Sequence, residues 1–228
     1  MLSKRLSKVA DLINDCNNVA DIGTDHAYLP IFLVQNSKAK CAFAIDVNSE
    51  PLAEALKNIQ LANLTNKITT IKSNGFDFIN NKDISLDVVT ICGLGSPTIV
   101  NILSSWKKPQ GQIIVCSNTE VSPIRQWAFK NNFEILFEDF FVDQKKHYWL
   151  LQISTEFKSS ILKKDLLLGN KNYFINNQNY LFYLNNEINK YKSILLKLNK
   201  KNHSEQYKKT VKKIKLIEGY VNAINKIS

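Results

Sequence analysis

The chain has 228 residues, 44% hydrophobic and 22% charged, with a net charge of +10, proportions of an ordinary soluble protein with room for one sizeable core and an appendage. No apolar run approaches the ~20 residues that a membrane span needs. The opening MLSKRLSKVADLIND lacks the apolar core of a signal peptide, so a cytoplasmic protein is expected.

Leu6, Val9, Ala10 and Ile13 recur at helical spacing and predict a helix within Leu2–Asp15, with Ser3 as its N-cap. Strands and helices then alternate. Strands are expected at 18–22, 41–47, 68–73, 86–93 and 111–117, and helices at 27–36, 50–63, 97–106 and 122–131. The strands read as continuous apolar runs separated by helices, the pattern of a parallel sheet covered on both faces. A doubly wound α/β fold follows. Two further β-rich runs, 133–143 and 147–154, have only Gln-Lys-Lys between them. So short a link holds no crossover helix, and these two strands must pair antiparallel. A seven-stranded sheet closed by an antiparallel hairpin points to the Rossmann-like class I methyltransferase type rather than to a dehydrogenase.

Beyond Thr155 the strand signals stop. Leu184, Ile188, Tyr191, Leu195 and Leu198 follow steps of three and four, as do Val211, Ile214, Ile217, Val221 and Ile224. KKNHS (200–204) breaks the two runs, with Ser204 as candidate N-cap, so a coiled-coil-like helical hairpin is expected. The chain therefore divides into a domain at 1–155 and a helical part at 156–228. Charge divides the same way. The first part carries 15 basic and 15 acidic residues, and the second carries 15 lysines against 5 acids. A polyanionic partner for the second part is the natural inference. Its seam leaves Lys208, Lys209, Lys212 and Lys213 as a candidate grip.

The ends of the strands hold the chemistry. VADIGTDHAYLPIFLV (19–34) places two carboxylates, Asp21 and Asp25, around one glycine, Gly23. A phosphate cradle would want G-x-G-x-x-G and no carboxylate in this loop. The loop suits a cationic ligand instead, and S-adenosylmethionine carries a sulfonium, an ammonium and an adenosine. Asp25 has a competing reading as the cap of the helix at Ala27; Asp21 has none. Asp46 ends the second strand 23 residues after Gly23, where an acid can hold a ribose. The third strand ends in Ser73-Asn74-Gly75, whose Asn74 amide is placed to read an adenine edge. The fourth ends in Gly93-Leu94-Gly95-Ser96-Pro97, a bare backbone loop, and the fifth in Ser117-Asn118. Cys16, Cys41, Cys92 and Cys116 are widely spaced, without a C-x-x-C pair or a nearby histidine cluster. They read as reduced, buried thiols and not as a metal site. Trp106, Trp127 and Trp149 read as packing residues, and His147 and His203 as structural or exposed.

Leu2-Ser-Lys-Arg-Leu6, Ala20-Asp-Ile-Gly-Thr-Asp-His-Ala-Tyr-Leu-Pro30, Asp46-Val-Asn48 with Pro51-Leu52, and Gly93-Leu-Gly95 resemble the bacterial tRNA adenine-N1 methyltransferases that modify the adenine at position 22. The resemblance spans roughly 2–153; for 156–228 it is one of type, since that family carries a C-terminal coiled-coil-like domain. Two places differ. Ser73-Asn74-Gly75-Phe76 stands where the family usually has Gly-Asp-Gly-Leu, and Gly93-Leu94-Gly95-Ser96 where it usually has Gly-Met-Gly-Gly. The resemblance implies methyl transfer from S-adenosylmethionine to adenine N1 of tRNA, with no metal and with a monomer favoured. The cofactor side comprises Asp21, Gly23, Asp25, Asp46, Val47, Asn74, Gly75 and Gly93. The substrate side comprises Lys4, Arg5, Gly95, Ser96 and Asn118 with the four hairpin lysines, and Asp25 and His26 are the catalytic candidates.

Adenine N1 holds a free lone pair at neutral pH, so positioning outweighs base catalysis, and carboxylates or carbonyls would stabilise the cationic product ring. Three rivals remain at this stage. A nicotinamide oxidoreductase would share Asp46 but lacks its phosphate glycines here. A methyltransferase of proteins or small molecules would leave the lysine-rich hairpin idle. A non-catalytic RNA-binding relative would keep the hairpin and lose the cofactor.

Overall fold

Continuous burial along the central strands, at residues 19–22, 88–91 and 113–117, sets the architecture of this computed structural model, which describes residues 2–80, 84–198 and 203–227. In chain order the elements are α1 (Lys4–Asp11), β1 (Cys16–Ile22), α2 (Tyr28–Gln35), β2 (Ala39–Asp46), α3 (Ser49–Leu61), β3 (Ile68–Lys72) and β4 (Val88–Cys92). There follow α4 (Ser96–Ser104), β5 (Gln112–Ser117), α5 (Ser122–Lys130), β6 (Phe133–Asp143), β7 (Lys146–Lys158), α6 (Gln178–Lys197) and α7 (Ser204–Asn225). The strands form one seven-stranded sheet in the order β3-β2-β1-β4-β5-β7-β6. β1 to β5 are parallel, and β7 runs antiparallel to both β5 and β6. This is the doubly wound sheet with a reversed strand that the sequence predicts.

Successive side chains of a strand point to opposite faces, and here they feed two separate cores. Ile113 and Val115 of β5 join Ile99 and Leu103 of α4 and Ile124 and Trp127 of α5 on one face. Ile114 and Cys116 join Val9 and Ile13 near α1, Leu29 and Leu33 of α2 and Ile59 of α3 on the other. All three tryptophans are buried, and Trp106 stacks on Phe76 with ring centroids 4.1 Å apart. Ser3 caps α1 by accepting from the Leu6 N–H. α1 is shorter than its apolar spacing suggests, ending at Asp11, yet Ile13 beyond it is fully buried.

α6 and α7 form the expected hairpin, with Leu184, Ile188, Ile214, Ile217, Val221 and Ile224 buried and the lysines outside. Residues 200–202 of the KKNHS break lie outside the described residues. α7 begins at Ser204 itself, with His203 in the cap position. The division at 155/156 needs correction in one respect, because β7 runs on to Lys158 and the boundary falls inside it. Nor is the hairpin an appendage. Its seam belongs to the same apolar cluster as α4 and α5, and Tyr180 and Tyr183 pack on the Phe140 ring at 5.3 and 5.2 Å. Of the cysteines, only Cys116 is buried; Cys41 is exposed and the other two are half-buried. Cys41 lies on β2 one residue before the pairing with β3 begins, which a cysteine in an apolar run does not reveal.

The connection between the parts is organised by one buried ion pair. Arg125 of α5 and Glu138 of β6 are 1% and 3% exposed, and Arg125 Nε donates to Glu138 Oε2 at 2.7 Å. Arg125 Nη1 also donates to the Leu167 carbonyl at 3.1 Å, pinning the strap between β7 and α6. Removing one member of such a pair strands the other charge in the core. Arg125→Met should therefore lower unfolding free energy by about 3–5 kcal/mol in urea titration, and Arg125→Met with Glu138→Leu should recover most of that loss.

Candidate functional site

The parallel strand order reverses between β1 and β4, where α2 and α4 leave for opposite faces of the sheet. A crevice opens outside the carboxyl ends of strands at such a point. Here it holds a cavity of about 830 Å³, walled by Asp21, Gly23, Asp25, Tyr28, Gly93 and Arg5 among others. That volume lies within the ~300–1,000 Å³ of ordinary small-molecule sites.

Asp21, the penultimate residue of β1, is 7% exposed, with Oδ1 accepting from the Thr90 hydroxyl of β4 at 2.7 Å. Burial raises its pKa, and the hydroxyls of Thr90 and Thr24 and the Arg5 charge oppose that rise. Gly23 follows with φ +77°, and its N–H and that of Thr24 both donate to the Ile45 carbonyl, folding the turn over β2. Gly93, at φ +82°, closes the opposite wall. The positive φ favours glycine there, and a Cβ would stand 2.5 Å from Arg5 Nη1, so an added side chain would displace the guanidinium lying over it. α1 is clamped to the far hairpin to hold Arg5 in place. Lys4 Nζ donates to the Val142 carbonyl, the Arg5 N–H to Asp143 Oδ2, and Lys8 pairs with Asp139 at 2.7 Å. Lys4, expected on the substrate side, is exposed with its Nζ engaged by the Val142 carbonyl.

Asp25 does not cap α2. The cap position belongs to Ala27, in a left-handed conformation (φ 55°, ψ 24°) with no side-chain cap bond. The Asp25 carboxylate is 79% exposed and lies 3.4 Å from His26 Nε2. His26 is 37% exposed, stacks on Tyr28 with centroids 5.1 Å apart, and its carbonyl accepts from Asn58 Nδ2. The cavity therefore gathers Asp21, Gly23, Asp25, His26, Gly93 and Arg5 from the expected set.

Other predicted residues lie along the same sheet edge. Asp46 ends β2, one strand from β1, with Oδ1 accepting from the Asn48 N–H at 2.7 Å; Val47 beside it is 55% exposed. Asn74, exposed, follows β3. Gly75, at φ 57°, is buried under α4, where a Cβ would sit 3.3 Å from Ile102 and Ser105. Ser96 departs from expectation. It is 1% exposed, its hydroxyl donates to the Glu120 carbonyl and its N–H to Thr119 Oγ1, so it joins two loops and faces no substrate. Asn118 is exposed, but its Nδ2 donates to the Gly93 carbonyl at 3.0 Å and its N–H to that of Leu94, steadying the glycine loop. Gly95 has an ordinary φ of −78° and a Cβ there would meet nothing closer than 3.5 Å, so its backbone needs no glycine. Lys208, Lys209, Lys212 and Lys213 share one exposed face of α7. The last three line a second groove, about 660 Å³, between the hairpin and the β5–α5 loop; Lys209 pairs with Glu205 and Lys213 lies 4.6 Å over the Tyr191 ring.

Sequence reasoning missed Thr90 and Tyr28. Thr90 was signalled only as a lone hydroxyl inside the apolar run LDVVTICG. Tyr28 was signalled only as an aromatic at the exposed start of a helix.

Three comparisons bear on this geometry. A family model described as TrmK, tRNA (adenine(22)-N(1))-methyltransferase, matches residues 19–219. The tRNA (adenine(22)-N(1))-methyltransferase of Bacillus subtilis is 33% identical over 153 residues, which span 66% of this chain and 63% of that protein's length. The structure of M. capricolum TrmK in complex with S-adenosyl-homocysteine is 44% identical, covers 99% of this chain and 100% of its own, and gives a TM-score of 0.94. A putative tRNA (m1A22) methyltransferase of Streptococcus pneumoniae, in complex with S-adenosyl-L-methionine, is 26% identical with a TM-score of 0.83.

A buried carboxylate with a raised pKa binds its proton more tightly folded than unfolded. Its contribution to stability is therefore present at low pH and lost as pH rises through the folded value. Asp21→Asn keeps the acceptor for Thr90 and removes that dependence. The ligand-free variant should melt above the unaltered chain at pH 7.5, and the gap should narrow towards pH 5 in thermal scans.

Proposed function

Because the chain belongs to the tRNA (adenine(22)-N(1))-methyltransferase family, we propose that it methylates N1 of the adenine at tRNA position 22, using S-adenosylmethionine. The observation that carries this reading is the buried Asp21 carboxylate facing a cavity of about 830 Å³ at the switch point. The donor set fits the cofactor. Asp21 and Asp25 are carboxylates for its cationic groups, Asp46 stands at ribose spacing, and two positive-φ glycines let the backbone approach. A pyrophosphate would meet repulsion from the same carboxylates, which disfavours a nicotinamide enzyme. S-adenosylmethionine, when bound, supplies an electrophilic methyl group.

The residues of this chain then have distinct tasks. Adenine N1 attacks through a lone pair that carries no proton at neutral pH, so no general base is needed and alignment dominates. Methylation leaves the ring positively charged. Asp25, exposed at the mouth and free of any capping duty, is the group placed to stabilise that charge. His26 holds Asp25 from one side and the Tyr28 ring from the other. The four α7 lysines serve the phosphate backbone, whose local unpairing must expose the adenine edge. A cytoplasmic enzyme completes the reading, supported by four free cysteines.

Incubation with unmodified tRNA and labelled S-adenosylmethionine, followed by mapping of the modified nucleotide, tests the reading; no transfer to position 22 would overturn it. Asp25→Asn should lower transfer by about 100-fold with an unchanged melting temperature. Replacing Lys208, Lys209, Lys212 and Lys213 by alanine should weaken tRNA binding and flatten its dependence on log salt, by about 0.7–0.9 for each phosphate no longer neutralised, with cofactor affinity unchanged in calorimetry.

A further inference from the structure

Tyr28 is the first residue of α2, and its neighbours Leu29 and Pro30 are buried, as are Leu33 and Val34 one turn on. Tyr28 itself is 53% exposed at the wall of the cofactor cavity. An aromatic ring left open there has no packing reason, since α2 is already seated by its other apolar residues. Its orientation is imposed by Ala27. That residue is 1% exposed and adopts φ 55°, a conformation that a non-glycine side chain takes at a cost. The left-handed step brings the rings of residues 26 and 28 face to face, 5.1 Å apart at 29°. His26 supports one side of the pair and leaves the other side available.

We propose that the His26–Tyr28 stack is the platform on which the extruded target adenine lies, with Tyr28 as the substrate-contacting residue. The inference rests on the function proposed above and names how that site holds its base. Transfer to N1 uses the Watson–Crick edge, so that edge must be free while the base is held. Its two faces are the surfaces left for binding, and an aromatic side chain is the group that binds them without occupying the edge. The same contact favours the product. A ring that becomes cationic on methylation is attracted to the face of a tyrosine, so the stack strengthens as charge develops. Asp25, next to His26, adds the opposite charge at the rim.

The experiment uses the full chain, saturated with S-adenosyl-homocysteine, and tRNA carrying 2-aminopurine at position 22. Extrusion raises the fluorescence of this base and stacking on an aromatic ring quenches it. The unaltered chain should therefore give little net rise, and Tyr28→Ala a large one. With ordinary tRNA, Tyr28→Ala should lose about 10- to 100-fold in kcat/KM. Its cofactor affinity and melting temperature should stay those of the unaltered chain, a pattern that a merely structural residue would not give. Tyr28→Phe should restore both the quenching and most of the rate. Equal kcat/KM and equal fluorescence for Tyr28→Ala and the unaltered chain would overturn the platform while leaving the function intact. Failure of the unaltered chain to methylate position 22 would overturn both.

Discussion

A carboxylate sits almost without solvent at the place where the sheet reverses, and much of the structure around it follows from that. Burial of a lone charge is unfavourable unless it is neutralised, hydrogen-bonded or paired. Asp21 receives one hydrogen bond from Thr90 across the β1–β4 pairing, and the Arg5 charge acts on it from α1. Arg5 reaches that position only because α1 is tied to the opposite end of the sheet by Lys4, Lys8 and the Arg5 N–H itself. The guanidinium in turn lies over the backbone of Gly93, whose positive φ favours glycine. One acidic residue thus ties together a clamped N-terminal helix and a solitary hydroxyl in an apolar strand. A folded state tolerates such a site when a ligand completes it, and the stability given up in its absence is a familiar cost of activity.

The helical hairpin answers to a second constraint. A grip on a large polyanion serves catalysis only if the gripping surface keeps a fixed relation to the reacting cavity. The Arg125–Glu138 pair supplies that relation by joining α5, β6 and the strap that leads to α6. Asn177 extends it, its Nδ2 donating to Asp139 Oδ1 and to the Phe140 carbonyl at 2.8 Å. Asp139 also holds Lys8 of α1. Both the helix that carries Arg5 and the hairpin that carries the lysines are therefore fastened to neighbouring residues of β6.

Period and punctuation made most of the fold legible. Apolar runs separated by helical spacing required a parallel sheet, and three residues between two β-rich runs required an antiparallel closure. Strand-end carboxylates were legible for the same reason, since a charge after an apolar run must lie at an edge. What escaped were features set by distant partners. Ser96 carries the appearance of a loop residue, but its burial depends on Thr119 and Glu120, more than twenty positions away. Gly75 has the spacing of a ligand-side glycine, but its burial depends on Ile102 of α4 and on Ser105 just after that helix, about thirty positions away. Asp25 satisfies every local rule for a helix cap, and the left-handed Ala27 removes it from that role. Local propensity cannot anticipate a backbone state that tertiary packing enforces. The boundary drawn at residue 155 falls inside β7, because charge and periodicity change there while the strand and the apolar cluster run on.

The charge asymmetry resolves a conflict intrinsic to the chemistry. One ligand is cationic and the product base becomes so, which asks for carboxylates; the macromolecular substrate is a polyanion, which asks for lysines. Mixed on one surface, these groups would pair with each other and serve neither. Charges separated by more than about 8 Å are largely screened at physiological salt, so distance alone keeps the two demands apart. The chain achieves this by leaving 1–155 with equal numbers of acids and bases and placing the excess of 10 positive charges in the remainder. Arg5 is the cation inside the acidic cavity. It is held over a backbone glycine and against the Tyr148 ring, at 5.6 Å from its centroid, where it tempers Asp21 without forming a direct ion pair with it. A direct pair would neutralise the carboxylate and compete with a cationic ligand; instead Asp21 accepts from the neutral Thr90 hydroxyl, and the anchoring of α1 holds the Arg5 guanidinium over Gly93.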